Sequence, residues 1–176
     1  MTVHTTMDSP LGELLLVGEA SPTAHGGTAL TSLSVPGQQA GRGEGKGDRT
    51  AGRDVGVADP EAFTAITAQL RSYFAGTLTR FDIEYVTGGS EFQRRVWAAL
   101  ETVPYGSTVS YGDIARRIDA PRAAVRAVGT AIGANPLLVV RPCHRVIGAN
   151  GALTGYAGGL ERKRRLLDLE REHRAG

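Results

Sequence analysis

The sequence predicts an α+β chain in two parts. Residues 1–88 read as a small N-terminal α/β domain with an antiparallel sheet, and residues 89–176 as a mainly helical domain containing a helix-turn-helix. Three observations carry this prediction. Short apolar runs bounded by turn residues occupy the first 35 positions. Helical periodicities with explicit N-caps follow from Asp59 and become dense after Ser90. The charge is also divided: residues 1–90 hold 6 Lys/Arg against 10 Asp/Glu and residues 91–176 hold 14 against 8, although the whole chain carries only +2.

In the N-terminal part, Leu11 to Val17 reads as a strand and Ala29 to Val35 as a weaker one. Ser9-Pro10-Leu11-Gly12 is turn chemistry, so the first strand should fold back as a hairpin. Pro36 to Ala58 is dense in Gly and scattered charges and has no aromatic residue. Such a segment buries too little apolar surface to offset its ordering entropy, so 36–58 is expected to be a disordered insertion. Asp59-Pro60-Glu61 starts a helix, with Asp as cap and Pro at the first helical position. Phe63, Ile66, Leu70 and Phe74 keep helical spacing, and Gly76 ends it. Phe81 to Tyr85 alternates as a short strand.

In the C-terminal part, Ser90 with Gln93 is a capping box. Its helix runs through Phe92, Val96, Leu100 and Val103, with Trp97 in the core, and stops before Pro104-Tyr105-Gly106. Ser110 with Asp113 caps a second helix to Ile118. Asp119-Ala120-Pro121 breaks the chain, and a third helix runs to about Ile132; two short helices so joined read as helix-turn-helix. Leu137 to Val140 is an apolar strand-like run, from whose end Cys143 should emerge. Leu160 to Glu172 is a basic amphipathic helix with Leu160, Leu166 and Leu167 facing inward.

No apolar run is long enough to span a bilayer, and the first residues lack a signal pattern. The basic C-terminal half suits a polyanion partner or is simply a solvated surface. Cys143 is the only cysteine. It can form neither an internal disulfide nor a multi-cysteine metal site, so it is either a buried filler or a nucleophile. The adjacent His144 and Arg145 favour the nucleophile, because nearby cations stabilise thiolate. A free thiol fits a reducing, cytoplasmic compartment.

The run Arg141-Pro142-Cys143-His144-Arg145-Val146-Ile147-Gly148 resembles the active-site signature of the O6-alkylguanine-DNA alkyltransferases, also called methylated-DNA–protein-cysteine methyltransferases. Ser110-Tyr111-Gly112-Asp113-Ile114-Ala115 and Arg126-Ala127-Val128-Gly129 resemble that family's two DNA-binding helices. Asn135-Pro136, Gly155-Tyr156-Ala157-Gly158-Gly159 and Leu166-Leu167-Asp168-Leu169-Glu170 match further segments, so the likeness covers about half the chain, from Glu91 to Glu170.

The resemblance implies irreversible transfer of an alkyl group from O6 of a flipped-out guanine, with O4-alkylthymine as a further candidate, to Cys143. It implies His144 as base, Glu170 as the carboxylate orienting it, and Asn135 as a brace around the cysteine. Tyr111, Arg126, Val146, Tyr156 and Ala157 would contact the base or fill its place, with Arg126 entering the vacated stack. Ala123, Ala124, Arg126, Ala127 and Gly129 would approach the minor groove. Double-stranded DNA carrying alkylated bases is the implied partner, met by a monomer that could gather cooperatively; no membrane, cofactor or metal is implied, since the cysteines of the zinc-bearing members are absent.

Ala157 stands where some members have Ser. Arg141 stands where an apolar residue is usual; it could lower the pKa of the thiol or point to solvent. The stretch Pro121 to Arg126 is one residue longer than in many members. Three rival functions stay open: a non-catalytic lesion-binding protein of the same fold, a cysteine hydrolase using Cys143, His144 and Glu170, and a transcription regulator with a structural cysteine.

Overall fold

The computed structural model describes residues 1–38, 55–86 and 88–174. They form two compact units, Met1–Thr87 and Gly88–Gly176.

The first unit is a four-stranded sheet with one long helix. β1 (Thr2–Met7) and β2 (Leu14–Ala20) are antiparallel, from Thr2↔Glu19 to Met7↔Leu14. The Ser9-Gly12 turn joins them, closed by the Gly12 amide on the Ser9 carbonyl at 2.9 Å. Gly12 has φ 102°, a left-handed angle that disfavours a side chain. β1 was not expected. Its signal is a weak one: Val3, Thr5 and Met7 alternate inward, and only two of the three are apolar. β3 (Thr28–Ser34) pairs antiparallel with β2 across a bulge at Val17/Gly18.

The expected disordered insertion needs correction at its end, because Val57–Ala58 forms β4, parallel to β1. Residues 39–54 of that insertion lie outside the described residues. Asp59 accepts the Ala62 amide and caps a 3-10 turn, Pro60–Phe63, that leads into α1 (Thr64–Phe74). Phe63, Ile66 and Leu70 are buried as the spacing predicts, but Tyr73 rather than Phe74 completes the stripe. The segment 81–85 is not a strand. It touches β3 through one bridge, Leu30↔Tyr85. The Gln69 side chain captures both the amide and the carbonyl of Asp82, at 2.7 and 2.9 Å, so these groups cannot join a ladder.

The second unit packs four helices around the cysteine segment. α2 (Glu91–Leu100) starts at the complete Ser90–Gln93 capping box and buries Val96, Trp97, Ala99 and Leu100. The Trp97 indole N–H donates to the Ala131 carbonyl at 2.9 Å. α3 (Tyr111–Arg117) starts at a second capping box, Ser110 with Asp113. Removing the Ser110 hydroxyl leaves the Asp113 amide unpaired, so Ser110→Ala should cost about 1 kcal/mol, read as a lower urea midpoint at unchanged slope.

Asp119, at φ 56°, turns the chain out of α3. A 3-10 turn, Arg122–Ala124, and α4 (Val125–Gly133) follow, an arrangement consistent with a helix-turn-helix. The run 137–140 is not a strand but a buried tight turn, with Val139 at φ 70°. Asn135 explains it: its side chain accepts the Leu137 amide at 3.0 Å and donates to the Leu137 carbonyl at 3.1 Å, replacing ladder partners locally. Cys143 therefore sits not at a strand end but in a 3-10 turn, Cys143–Arg145.

β5 (Val109–Ser110) and β6 (Val146–Ile147) pair in parallel, which ties the start of α3 to the residues just past that turn. α5 (Leu160–His173) buries Lys163, Leu166, Leu167 and Glu170 at helical spacing. Leu160 is 47 % exposed rather than inward, since it opens the helix one turn before the buried stripe begins. No helix among the described residues is long and apolar enough to cross a membrane.

Candidate active site

Cys143 is 3 % exposed. Its amide donates to the Arg141 carbonyl at 2.7 Å, and its side chain is hydrogen-bonded by Asn135. Burial pushes its thiol up from the ordinary value. The Asn135 contact, Lys163, its own amide and Arg141 act in the opposite direction, but burial wins. This corrects the expectation that flanking cations make a standing thiolate. His144 and Arg145 face Glu170 instead, so the resting group is a thiol and needs a base.

His144 is fully buried, with Nε2 2.7 Å from Glu170 Oε2. Burial holds the imidazole below its ordinary 6.5, against the pull of Glu170. A neutral ring bonded in this way donates Nε2–H to the carboxylate and leaves Nδ1 as the acceptor. Nδ1 is buried and makes no hydrogen bond among the described residues. Burial alone would raise Glu170, but its contacts with His144 and Arg145 outweigh it and hold the carboxyl far below its ordinary range. Arg145 grips both oxygens, Nε to Oε1 at 2.7 Å and Nη2 to Oε2 at 3.0 Å, and its Nη1 donates to the Val103 carbonyl at 2.7 Å.

The signs of these shifts fix a pH dependence. Glu170 is depressed in the folded state, so its stabilisation is present above 4.5 and is lost as pH falls through the folded value. His144 is also depressed, so below 6.5 the unfolded chain binds the proton first and acid again favours unfolding. The melting temperature should therefore begin to fall as pH drops below about 6.5. His144→Gln should flatten the upper part of that decline, measured by calorimetry.

Asn135 is buried, and its side chain bears on the Cys143 thiol. Tyr111 heads α3, and its hydroxyl accepts a hydrogen bond from Thr154 at 2.9 Å. Gly129 of α4 backs onto the Tyr111 ring, where a Cβ would stand 3.7 Å from a ring carbon. Val146 is fully buried in β6. Tyr156 and Ala157 lie in the segment leading to α5. The Tyr156 hydroxyl is buried, which raises it well above its ordinary value and keeps it a neutral phenol. Ala123, Arg126 and Ala127 are exposed, and Ala124 is half-buried, along the Arg122–Ala124 turn and α4. Arg126 thus lies on an open face, apart from the buried cluster around Cys143.

Two participants, Lys163 and Thr154, are absent from the sequence reading, and a third, Arg141, is left there between two roles. Lys163 is buried, its ammonium donates to the Thr154 carbonyl at 2.7 Å, and burial lowers it to about 8. Its signal was legible: Lys163 and Glu170 share the spacing of the buried leucines on α5. Thr154 had no local signal. Arg141 is buried, not solvent-facing, and donates to Asn135 Oδ1 at 3.1 Å.

The family described as 6-O-methylguanine DNA methyltransferase, DNA binding domain, matches residues 91–172. The methylated-DNA–protein-cysteine methyltransferase of Mycolicibacterium paratuberculosis is 51% identical over 173 residues, covering 98% of this chain and 94% of that protein. The protein of the same name from Methanosarcina acetivorans is 41% identical over 169 residues, covering 95% and 97%. Among solved structures, Mycobacterium tuberculosis OGT in complex with DNA is similar with a TM-score of 0.82 at 48% identity, covering 97% of this chain and 94% of that one.

Proposed function

The chain belongs to the methylated-DNA–protein-cysteine methyltransferase family, and on that premise we propose that it repairs DNA by drawing the alkyl group of an O6-alkylguanine onto the sulfur of Cys143. The observation that carries this reading is the juxtaposition at the 3-10 turn. The only thiol of the chain immediately precedes, in the same turn, a neutral histidine that is bonded to a carboxylate which an arginine clamps.

The reaction follows from those groups. Cys143 gives its proton to His144 Nδ1, directly or through a water, and Glu170 stabilises the imidazolium that forms. The sulfur attacks the alkyl carbon; the S–C bond forms as the C–O6 bond breaks, and the electron pair passes to the purine. Tyr111 donates a proton to the purine ring, which neutralises the leaving group. Its hydroxyl already accepts from Thr154, so its own hydrogen is available to donate. Asn135 and Lys163 offset the cost of negative charge on sulfur.

The guanine reaches a buried sulfur only by leaving the duplex, and a poorly paired alkylated base leaves at less cost. Arg126, exposed on α4, takes the place of the base in the stack. Ala123, Ala124, Ala127 and Gly129 let the backbone approach the minor groove. Contacts are then mainly to phosphates, and affinity falls with salt. The protein works in the cytoplasm as a monomer on alkylated double-stranded DNA.

The thioether is not readily reversed, so each chain acts once. With excess duplex carrying O6-methylguanine, repaired guanine should plateau at one per protein molecule. A steady rate continuing past that plateau would instead mark a turnover enzyme.

A further inference from the structure

We propose that Arg141 is a positioning residue for the transfer, holding the Asn135 amide against the Cys143 sulfur while fixing a permanent positive charge behind it. The inference rests on the reading of Cys143 as the acceptor.

Arg141 is 5 % exposed, although a lone arginine at the surface would reach water with ease. Its contacts include three that bear on this role. Its guanidinium lies over the Trp97 ring at 4.9 Å. Its Nη1 donates to Asn135 Oδ1 at 3.1 Å. Its Nε is 3.7 Å from Glu101 Oε1, and the Glu101 side chain is 42 % exposed. The Glu101 carboxylate is therefore largely in water, which screens it far more than the cation is screened on its inner side.

The path to the sulfur is short. Oδ1 of Asn135 accepts from both Arg141 and the Leu137 amide, and the same side chain hydrogen-bonds Cys143. A cation on the carbonyl end of an amide withdraws electrons and makes its N–H a stronger donor. The Arg141 carbonyl meanwhile receives the Cys143 amide, so the same residue also fixes the turn.

The charged and titratable groups that bear on Cys143 are Arg141 beside it, Lys163 of α5, and Tyr156. His144, Arg145 and Glu170 form the neighbouring cluster. Of the two cations, Lys163 loses its charge near pH 8. Arg141 does not titrate in this range, so its support for the thiolate persists where that of Lys163 lapses.

The test is the pH profile of single-turnover methyl transfer from a duplex carrying O6-methylguanine. Arg141→Met should slow transfer at pH 7 by about tenfold, move the midpoint of the profile up by about one pH unit, and recover most of the rate at the alkaline end. Arg141→Lys should lie between the two. Glu101→Gln removes the opposing carboxylate from a solvent-facing site, so it should fold normally and move the midpoint the other way. A loss in Arg141→Met that is equal at every pH, an unshifted profile, or a Glu101→Gln midpoint that fails to move down would overturn the proposal. Absence of transfer by the unsubstituted protein would instead overturn the assignment of Cys143 as acceptor.

Discussion

Cys143→Ser should fold, bind duplex DNA with unchanged affinity, and accept no alkyl group. Sulfur and oxygen differ little in size, and the side chain is enclosed, so the packing around it survives. The chemistry does not. A serine hydroxyl ionises several pH units above a thiol, and a neutral imidazole cannot draw off its proton to give a useful nucleophile. The rate should fall by more than about 10³, to the limit of detection. Salt titrations of DNA binding should overlay those of the unsubstituted protein, because the proposed phosphate contacts are on the α4 face rather than at the sulfur. Single-turnover assays and fluorescence anisotropy on the same preparations separate the two properties. A variant that neither binds nor transfers would assign Cys143 to folding instead.

Glu170→Ala should be the most damaging change to stability. It strips Arg145 of both carboxylate oxygens and His144 of its acceptor, all in the interior. Breaking a buried pair from one side leaves an uncompensated charge, at a cost of about 3–5 kcal/mol. Glu170→Gln keeps the shape and one acceptor and should cost less. The two should also differ in rate: Gln can still orient the His144 ring but cannot stabilise imidazolium, so transfer should drop by about 10²-fold or more while the fold persists. Chemical denaturation and single-turnover rates on both variants give the comparison. Equal midpoints for Glu170→Ala and the unsubstituted protein would mean that Glu170 is not the ionised centre of this cluster.

Where the sequence was legible, the reason is that one local interaction decides the outcome. The Ser90–Gln93 and Ser110–Asp113 boxes both close as read, because each satisfies its own helix start within four residues. The residues of the cysteine turn were legible as a pattern, but their contacts were not. Arg145 was read as a cation beside the thiol, and it serves Glu170, 25 positions away. Arg141 was left between two roles, and a Trp97 ring on α2 decides that it is buried. The run 137–140 was misread because its apolar residues suit a strand equally well; a single Asn135 side chain turns it into a bend. Phe81 to Tyr85 was misread for the same reason, with Gln69 as the capturing side chain. Apolar pattern reports burial in each case, while the backbone partners are set by a polar side chain elsewhere.

The most direct measurement is intact-protein mass spectrometry after mixing with an oligonucleotide duplex containing one O6-methylguanine, followed by peptide mapping. The mechanism predicts a gain of one methylene per chain, located on Cys143, with guanine restored in the DNA. An unchanged protein mass with the lesion still bound and intact would contradict it and leave a lesion-binding protein in its place.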